Sequence, residues 1–103
     1  MPHTIVLVQT TGSRTSRSFH DYEQQGAAMD GICQMYEAKL KSVNPTLRQI
    51  TYDIADLFTF IDQLGDLSCL VFEDSVGAYR PYGKDWIKQK VFQRLKGQAE
   101  GGA

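Results

Sequence analysis

The residues most able to do chemistry are two histidines, two cysteines and a short series of acids. His3 and His20 have no cysteine beside them and no HxxxH spacing. General acid–base work needs an oriented partner for the imidazole, and zinc needs further ligands at short, defined steps. His3 opens an expected strand and His20 precedes an expected helix, so both read as surface or capping residues. No G-x-S-x-G elbow, GxxxxGK[ST] or GxGxxG occurs, so neither an activated serine nor a phosphate cradle has support. Asp53, Asp56 and Asp62 lie along one expected helix and its cap. A carboxylate pair for acid–base catalysis is conceivable there, but solvated helix acids are the simpler reading. Cys33 and Cys69 sit inside apolar segments without a CxxC, which suits reduced, buried thiols packing as small hydrophobes. No catalytic, cofactor or metal site is assigned.

The chain has 103 residues, the size of one domain. With 11 Lys+Arg against 12 Asp+Glu, the net charge of −1 gives none of the basic excess that charge-driven nucleic-acid binding requires. An apolar content of 42% is too high for a disordered chain. The apolar runs fall far short of the ~20 residues that span a bilayer, and the N-terminus has no secretory signal pattern. These features describe an intracellular domain without membrane contact.

The elements that must position any site follow from periodicity. Residues 4–9 form a consecutive apolar, β-branched run, the mark of a strand covered on both faces. Ile5 and Leu7 point one way, Val6 and Val8 the other. Residues 10–17 read as a polar loop. A helix is expected to start near Ser18–Glu23, with acids in its first turn. Met29, Ile32, Cys33, Tyr36, Leu40 and Val43 supply its apolar stripe. Gly26 and Gly31 weaken it, and Asn44-Pro45 ends it. Residues 50–53 read as a short strand. Asp53 then caps a second helix with Asp56 three residues on; Leu57, Ile61 and Leu64 are its buried stripe, and Gly65 stops it. Residues 67–73 form another apolar strand, 74–77 a turn, and 78–82 a partner strand that Pro81 confines to an edge. A third helix starts near Lys84 with Ile87, Val91 and Leu95 on its stripe. Residues 1–97 make one domain, and 98–103 are a flexible, Gly-rich tail. The expected order is β-α-β-α-β-β-α, an α+β fold.

Four strands spaced about 4.8 Å apart make a sheet roughly 19 Å wide, and two helices of about 10 Å already cover one face. The first and third strands are apolar on both sides, so the second face also needs cover, from the third helix or from another copy of the chain. Tyr22, Tyr36, Tyr52, Tyr79, Tyr82 and Trp86 are candidates for a binding surface, although aromatics serve cores as readily. An RNA-recognition module stacks bases on strand aromatics beside a basic, Gly-rich motif. The run Leu-Val-Phe-Glu-Asp (70–74) lacks that motif and ends in acids.

Several segments together resemble the enhancer of rudimentary homolog family: H-T-I-V-L-V-Q (3–9), D-Y-E (21–23), C-Q-M-Y-E (33–37), N-P (44–45), I-T-Y-D-I (50–54), L-F-T-F-I-D-Q-L-G-D-L-S-C-L-V (57–71), Y-R-P-Y (79–82) and K-D-W-I-K-Q-K (84–90). They span His3 to about Leu95. The resemblance implies a four-stranded antiparallel sheet with three helices on one face and a homodimer through the other. Ile5 and Leu7 match positions at that family's dimer interface; Leu70 and Phe72 join them on strand parity alone. It further implies a non-catalytic adaptor without cofactor. Its partners would be a second copy of itself and short, disordered segments of RNA-processing or RNA-binding proteins, not nucleic acid directly. It would work in mRNA or small-RNA processing, in the nucleus or in cytoplasmic or perinuclear ribonucleoprotein bodies. Ser18 matches a position proposed for phosphorylation, with Asp21 as the acid three residues on; serving as a helix cap is the competing role for it. The departures are the loop 10–17, Gln24 at a second such position, Gly83 where Asn is usual, fewer basic residues near the C-terminus, and a tail rich in Gly instead of Gln. They point to a specialised member with its own partner. The alternatives are a direct RNA-binding domain and, further off, an enzyme like the pterin carbinolamine dehydratases, which require a histidine cluster.

Overall fold

The computed structural model describes residues 2–46 and 52–100. Strand β1 (Thr4–Gln9) leads through a single 3-10 turn into β2 (Arg17–Tyr22), followed by helices α1 (Gln25–Val43) and α2 (Ile54–Gln63), strands β3 (Asp66–Glu73) and β4 (Ala78–Tyr82), and helix α3 (Lys84–Glu100). The strands pair antiparallel in the order β2-β1-β3-β4. This is the expected α+β class with a four-stranded antiparallel sheet, and Pro81 lies on an edge strand as anticipated.

The order of elements differs from the expected one. Residues 17–22 form a strand, not the end of a loop and the start of a helix. Pairing with β1 along its whole length, from Thr4–Tyr22 to Gln9–Arg17, decides the conformation. The acids near Asp21 therefore sit on a strand and at its exit. Helix α1 begins at Gln25, where Gln24 is the N-cap and makes no side-chain capping bond. Of the expected strand at 50–53, residues 50 and 51 lie outside the described residues, and Tyr52 and Asp53 belong to no strand. The tail expected at 98–103 overlaps α3, which runs on to Glu100.

All three helices share one face of the sheet. Val6 and Val8 of β1 and Leu67, Cys69 and Val71 of β3 meet Ala28, Met29, Ile32 and Cys33 of α1, Leu57, Phe60 and Ile61 of α2, and Ile87 and Val91 of α3 in one core. Val43, expected on the α1 stripe, is instead exposed at the helix end. Gly31 has a packing role: a Cβ there would collide with the Tyr22 hydroxyl, so its absence lets the β2 ring lie against α1. Arg94 of α3 grips Asp30 of α1 with two hydrogen bonds of 3.1 and 2.8 Å, which ties these two helices together.

The start of α2 is fastened by a reciprocal cap. The Asp53 carboxylate accepts from the Asp56 amide at 2.9 Å, and the Asp56 carboxylate accepts from the Asp53 amide at 3.4 Å. Asp53→Ala removes the first of these bonds and is expected to cost about 1 kcal/mol, read as a lower urea midpoint at unchanged slope.

Candidate interaction surface

The register places Ile5 opposite Leu70 and Asp21, Leu7 opposite Ser68 and Phe19, Leu70 opposite Pro81, and Phe72 opposite Tyr79. Side chains alternate along a strand. Since Val6, Val8, Cys69 and Val71 face the helices, all four expected interface residues, Ile5, Leu7, Leu70 and Phe72, lie together on the face without helices. The structure adds Phe19 and Tyr79 to them. In the single chain Phe19 is 67% exposed, Tyr79 42% and Leu7 37%, while Ile5, Leu70 and Phe72 are half-buried. Scattered exposed apolar side chains are ordinary, but a contiguous patch marks an interaction surface.

Polar groups bound this patch at both ends. At one end, His3 Nε2 lies 3.1 Å from Asp21 and His3 Nδ1 lies 2.7 Å from the Tyr79 hydroxyl. One arrangement satisfies all three groups: Nε2–H donates to the carboxylate, and Nδ1 accepts the phenol proton. Both ring nitrogens then have a hydrogen-bond partner. The imidazole acts as a strap between β2 and β4, while the Tyr79 ring stands edge-on to Phe72 at 5.2 Å. At the other end, Arg17 Nε donates to the Gln9 amide oxygen at 2.8 Å. These two residues, with Leu7, Phe19, Asp66 and Ser68, line a shallow hollow of about 340 Å³. An apolar centre with a polar rim is the usual anatomy of a protein–protein contact.

Phe19 was not legible as an interface residue, because its segment read as loop and helix. Its one sequence signal is an aromatic between Ser18 and His20, which is period-two alternation over too short a stretch to register. Ser18 is exposed on β2, with its hydroxyl 3.5 Å from His20 Nε2. It caps no helix, which removes the competing role for it. His20 likewise lies within a strand and not ahead of a helix.

The thiols are held protonated. Burial, then the Glu37 and Asp30 carboxylates, push the Cys33 thiol up to about 11; burial alone pushes Cys69 up to about 11. Tyr52, hydrogen-bonded to Cys33, is raised to about 12, mainly by burial. A thiol so placed is a poor nucleophile. The thiols also fix a pH dependence. A cysteine raised from 9.0 in the unfolded chain to about 11 when folded favours the native state fully below pH 9, and that contribution is lost as the pH rises from 9 to 11. For fully buried Cys69 this amounts to about 2–3 kcal/mol. Denaturant titrations at pH 8 and pH 11 are expected to show a stability drop that is smaller in Cys69→Ala by about that amount.

Among the described residues, no three His, Cys, Asp or Glu side chains cluster as metal ligands. Among them, too, no helix is long and apolar enough to cross a membrane.

Fold and surface together define a small α+β domain with one sheet face carrying the helices and the other left as a bare apolar patch. The family model described as enhancer of rudimentary matches residues 1–101. The chain is 59% identical to the enhancer of rudimentary homolog of Arabidopsis thaliana over 97% of this chain and 92% of that protein. It is 53% identical to the Dictyostelium discoideum homolog over 97% of this chain and 100% of that protein, and 49% identical to the Drosophila virilis protein enhancer of rudimentary over 93% and 92%. The chain belongs to the enhancer of rudimentary family.

Proposed function

We propose that this chain is a non-catalytic homodimeric adaptor. In this reading the bare sheet face pairs with the same face of a second copy, through Ile5, Leu7, Leu70 and Phe72 with Phe19 and Tyr79 around them. The observation that carries it is the contiguous apolar face opposite the helical layer. Such a face costs solubility when left open and is self-complementary under a two-fold axis. In this reading its contribution is geometric: two equivalent copies of every other surface, able to hold two partner segments at once and gain by avidity. Disordered segments of RNA-processing or RNA-binding proteins are the partners the family membership favours. They would order on docking, and the complex would work in the nucleus or in ribonucleoprotein bodies of the cytoplasm.

Direct RNA binding is less favoured. The described acidic and basic side chains on the bare face are His3, Arg17, Asp21 and Asp66, which give no phosphate-binding excess.

The test is affinity capture from native extract with mass spectrometry, for the wild type beside Leu7→Arg. Enrichment of RNA-processing or RNA-binding proteins by the wild type, lost in the variant, is the expected result. Absence of such proteins from the wild-type capture defeats the adaptor reading.

A further inference from the structure

A second concave surface lies on the helical side of the sheet, where α1 and α2 stop short of the β2 edge. Ser18 and His20 point toward the helical layer, as their partners Val8 and Val6 do, yet both are exposed. The gap beside them is a groove of about 510 Å³, within the size range of small-ligand sites. Val8, Phe60 and Leu64 form its buried floor, and Met35 lines it from α1. Its charge is one-sided: Lys39 and His20 are the ionisable residues lining it, and no carboxylate does. Lys39 Nζ lies 5.5 Å from the Phe60 ring and makes no ion pair among the described residues. Alongside runs β2, an edge strand with no further strand paired to its outer side among the described residues.

We propose that this groove docks an extended peptide segment that pairs with the β2 edge, lowers a large apolar side chain between Met35, Phe60 and Leu64, and sets flanking carboxylates against Lys39 and His20. The proposal rests on the adaptor reading and names the chemistry of what the adaptor holds. Strand addition uses the unpaired backbone groups of an edge for affinity and takes specificity from alternate side chains. The apolar floor and the Lys39–His20 rim both lie on the helical side of the sheet, so one set of alternate side chains meets both: an apolar residue over the floor with a carboxylate two positions to either side, while the intervening side chains face away. A nucleic acid fits poorly. Phe60 is 8% exposed and lies under Lys39, so it offers no ring face for a base to stack on.

The probe is the synthetic peptide Thr-Asp-Thr-Leu-Thr-Asp-Thr, which presents Leu and both Asp on one face of a strand, titrated into the isotopically labelled full chain and followed by backbone amide shifts. The expected result is saturable shifts in 17–22 and 35–39. Charge complementarity predicts a dissociation constant about ten-fold weaker for Lys39→Glu and about three-fold weaker for Ser18→Asp. The same peptide with Lys in place of both Asp should bind about ten-fold more weakly through reversed charge, and with Ser in place of Leu about ten-fold more weakly through loss of its apolar anchor. Both variants change exposed side chains, and light scattering and far-UV circular dichroism check that fold and mass are kept. Equal binding of the Lys-for-Asp peptide, shifts confined to Leu7, Leu70 and Phe72 on the opposite face, or no binding at millimolar peptide each overturns the proposal. The extract capture separates it from the adaptor reading. If Lys39→Glu keeps every partner that the wild type captures, the groove is wrong and the adaptor stands; if the wild type captures none, the adaptor reading itself fails.

Discussion

Replacing Leu7 by arginine is expected to turn a dimer into a folded monomer. In the single chain Leu7 is 37% exposed, between Phe19 and Ser68 on the bare face. An arginine there can run its stem along the apolar patch and keep its guanidinium in water, so the monomer loses little. Under a two-fold axis the same position is covered by the partner, and the symmetric copy brings a second cation to the same interface. Burying an unpaired charge costs about 3–5 kcal/mol. Two copies at the lower figure give about 6 kcal/mol, a change of roughly 10⁴-fold in the dimer dissociation constant. Light scattering at micromolar protein should therefore report about twice the 11.6 kDa chain mass for the wild type and the single-chain mass for the variant. Far-UV circular dichroism should be unchanged. A variant that keeps the dimer mass moves the interface off this face. A wild type that is itself a monomer removes the dimer altogether, and with it the avidity that the adaptor reading invokes.

What the sequence disclosed about this face, and what it hid, has a physical basis. β1 and β3 are covered on one side and apolar on the other, so each carries a consecutive apolar run that stands out in any window. Parity along those two runs is enough to bring Ile5, Leu7, Leu70 and Phe72 to one face. The α2 cap is legible because both of its partners, Asp53 and Asp56, are local. β2 is the reverse case. Each of its residues is exposed or half-buried, so burial imposes no alternation on its composition, and Asp21 with Glu23 imitates the acidic first turn of a helix. The real start of α1 gives no contrary signal, since Gln24 caps it without a side-chain bond. With β2 unread, Phe19 could not be placed on the bare face, nor Ser18 and His20 on the helical side. His3 was unreadable for a related reason. Its partners Asp21 and Tyr79 lie on the two edge strands, and only sheet pairing brings them to one imidazole. The misreading of β2 therefore propagated into the site, whereas the same segment's local propensity, with Phe19 and Tyr22 in it, was compatible with a strand throughout.

Gly65 presents the complementary case of a residue whose type was noticed but whose task was not. It reads as a helix stop, yet α2 ends at Gln63 with Leu64 as its C-cap. Gly65 does not adopt a positive φ, so the left-handed turn of a glycine cap is not its role. What requires glycine is a close approach: a Cβ at 65 would fall on the Thr11 carbonyl, with the Gln9 amide nitrogen beside it. That carbonyl accepts from Gln9 Nε2 at 2.9 Å, and the Lys84 ammonium donates to the Leu64 carbonyl at 2.8 Å, so the junction joins β1, α2 and α3. In Gly65→Ala the methyl group meets backbone, which cannot rotate aside as a side chain would. The loop after β1 must retreat, and the Gln9 bond goes with it. Overpacking of this kind costs about 1–3 kcal/mol, and losing a bond to a largely buried amide adds about 1 kcal/mol or more. The stiffer unfolded chain returns about 0.4–1 kcal/mol, which leaves a net loss of about 2–3 kcal/mol. Gly12→Ala is the matched control: it lies in the same loop with open space where its Cβ would go, and the unfolded-state effect alone predicts stability equal to or slightly above wild type. Urea unfolding of all three proteins at one fixed concentration, since the stability of the proposed dimer would depend on it, reads the difference. If Gly65→Ala unfolds at the wild-type midpoint, the loop moves aside freely, and glycine at 65 has no packing role.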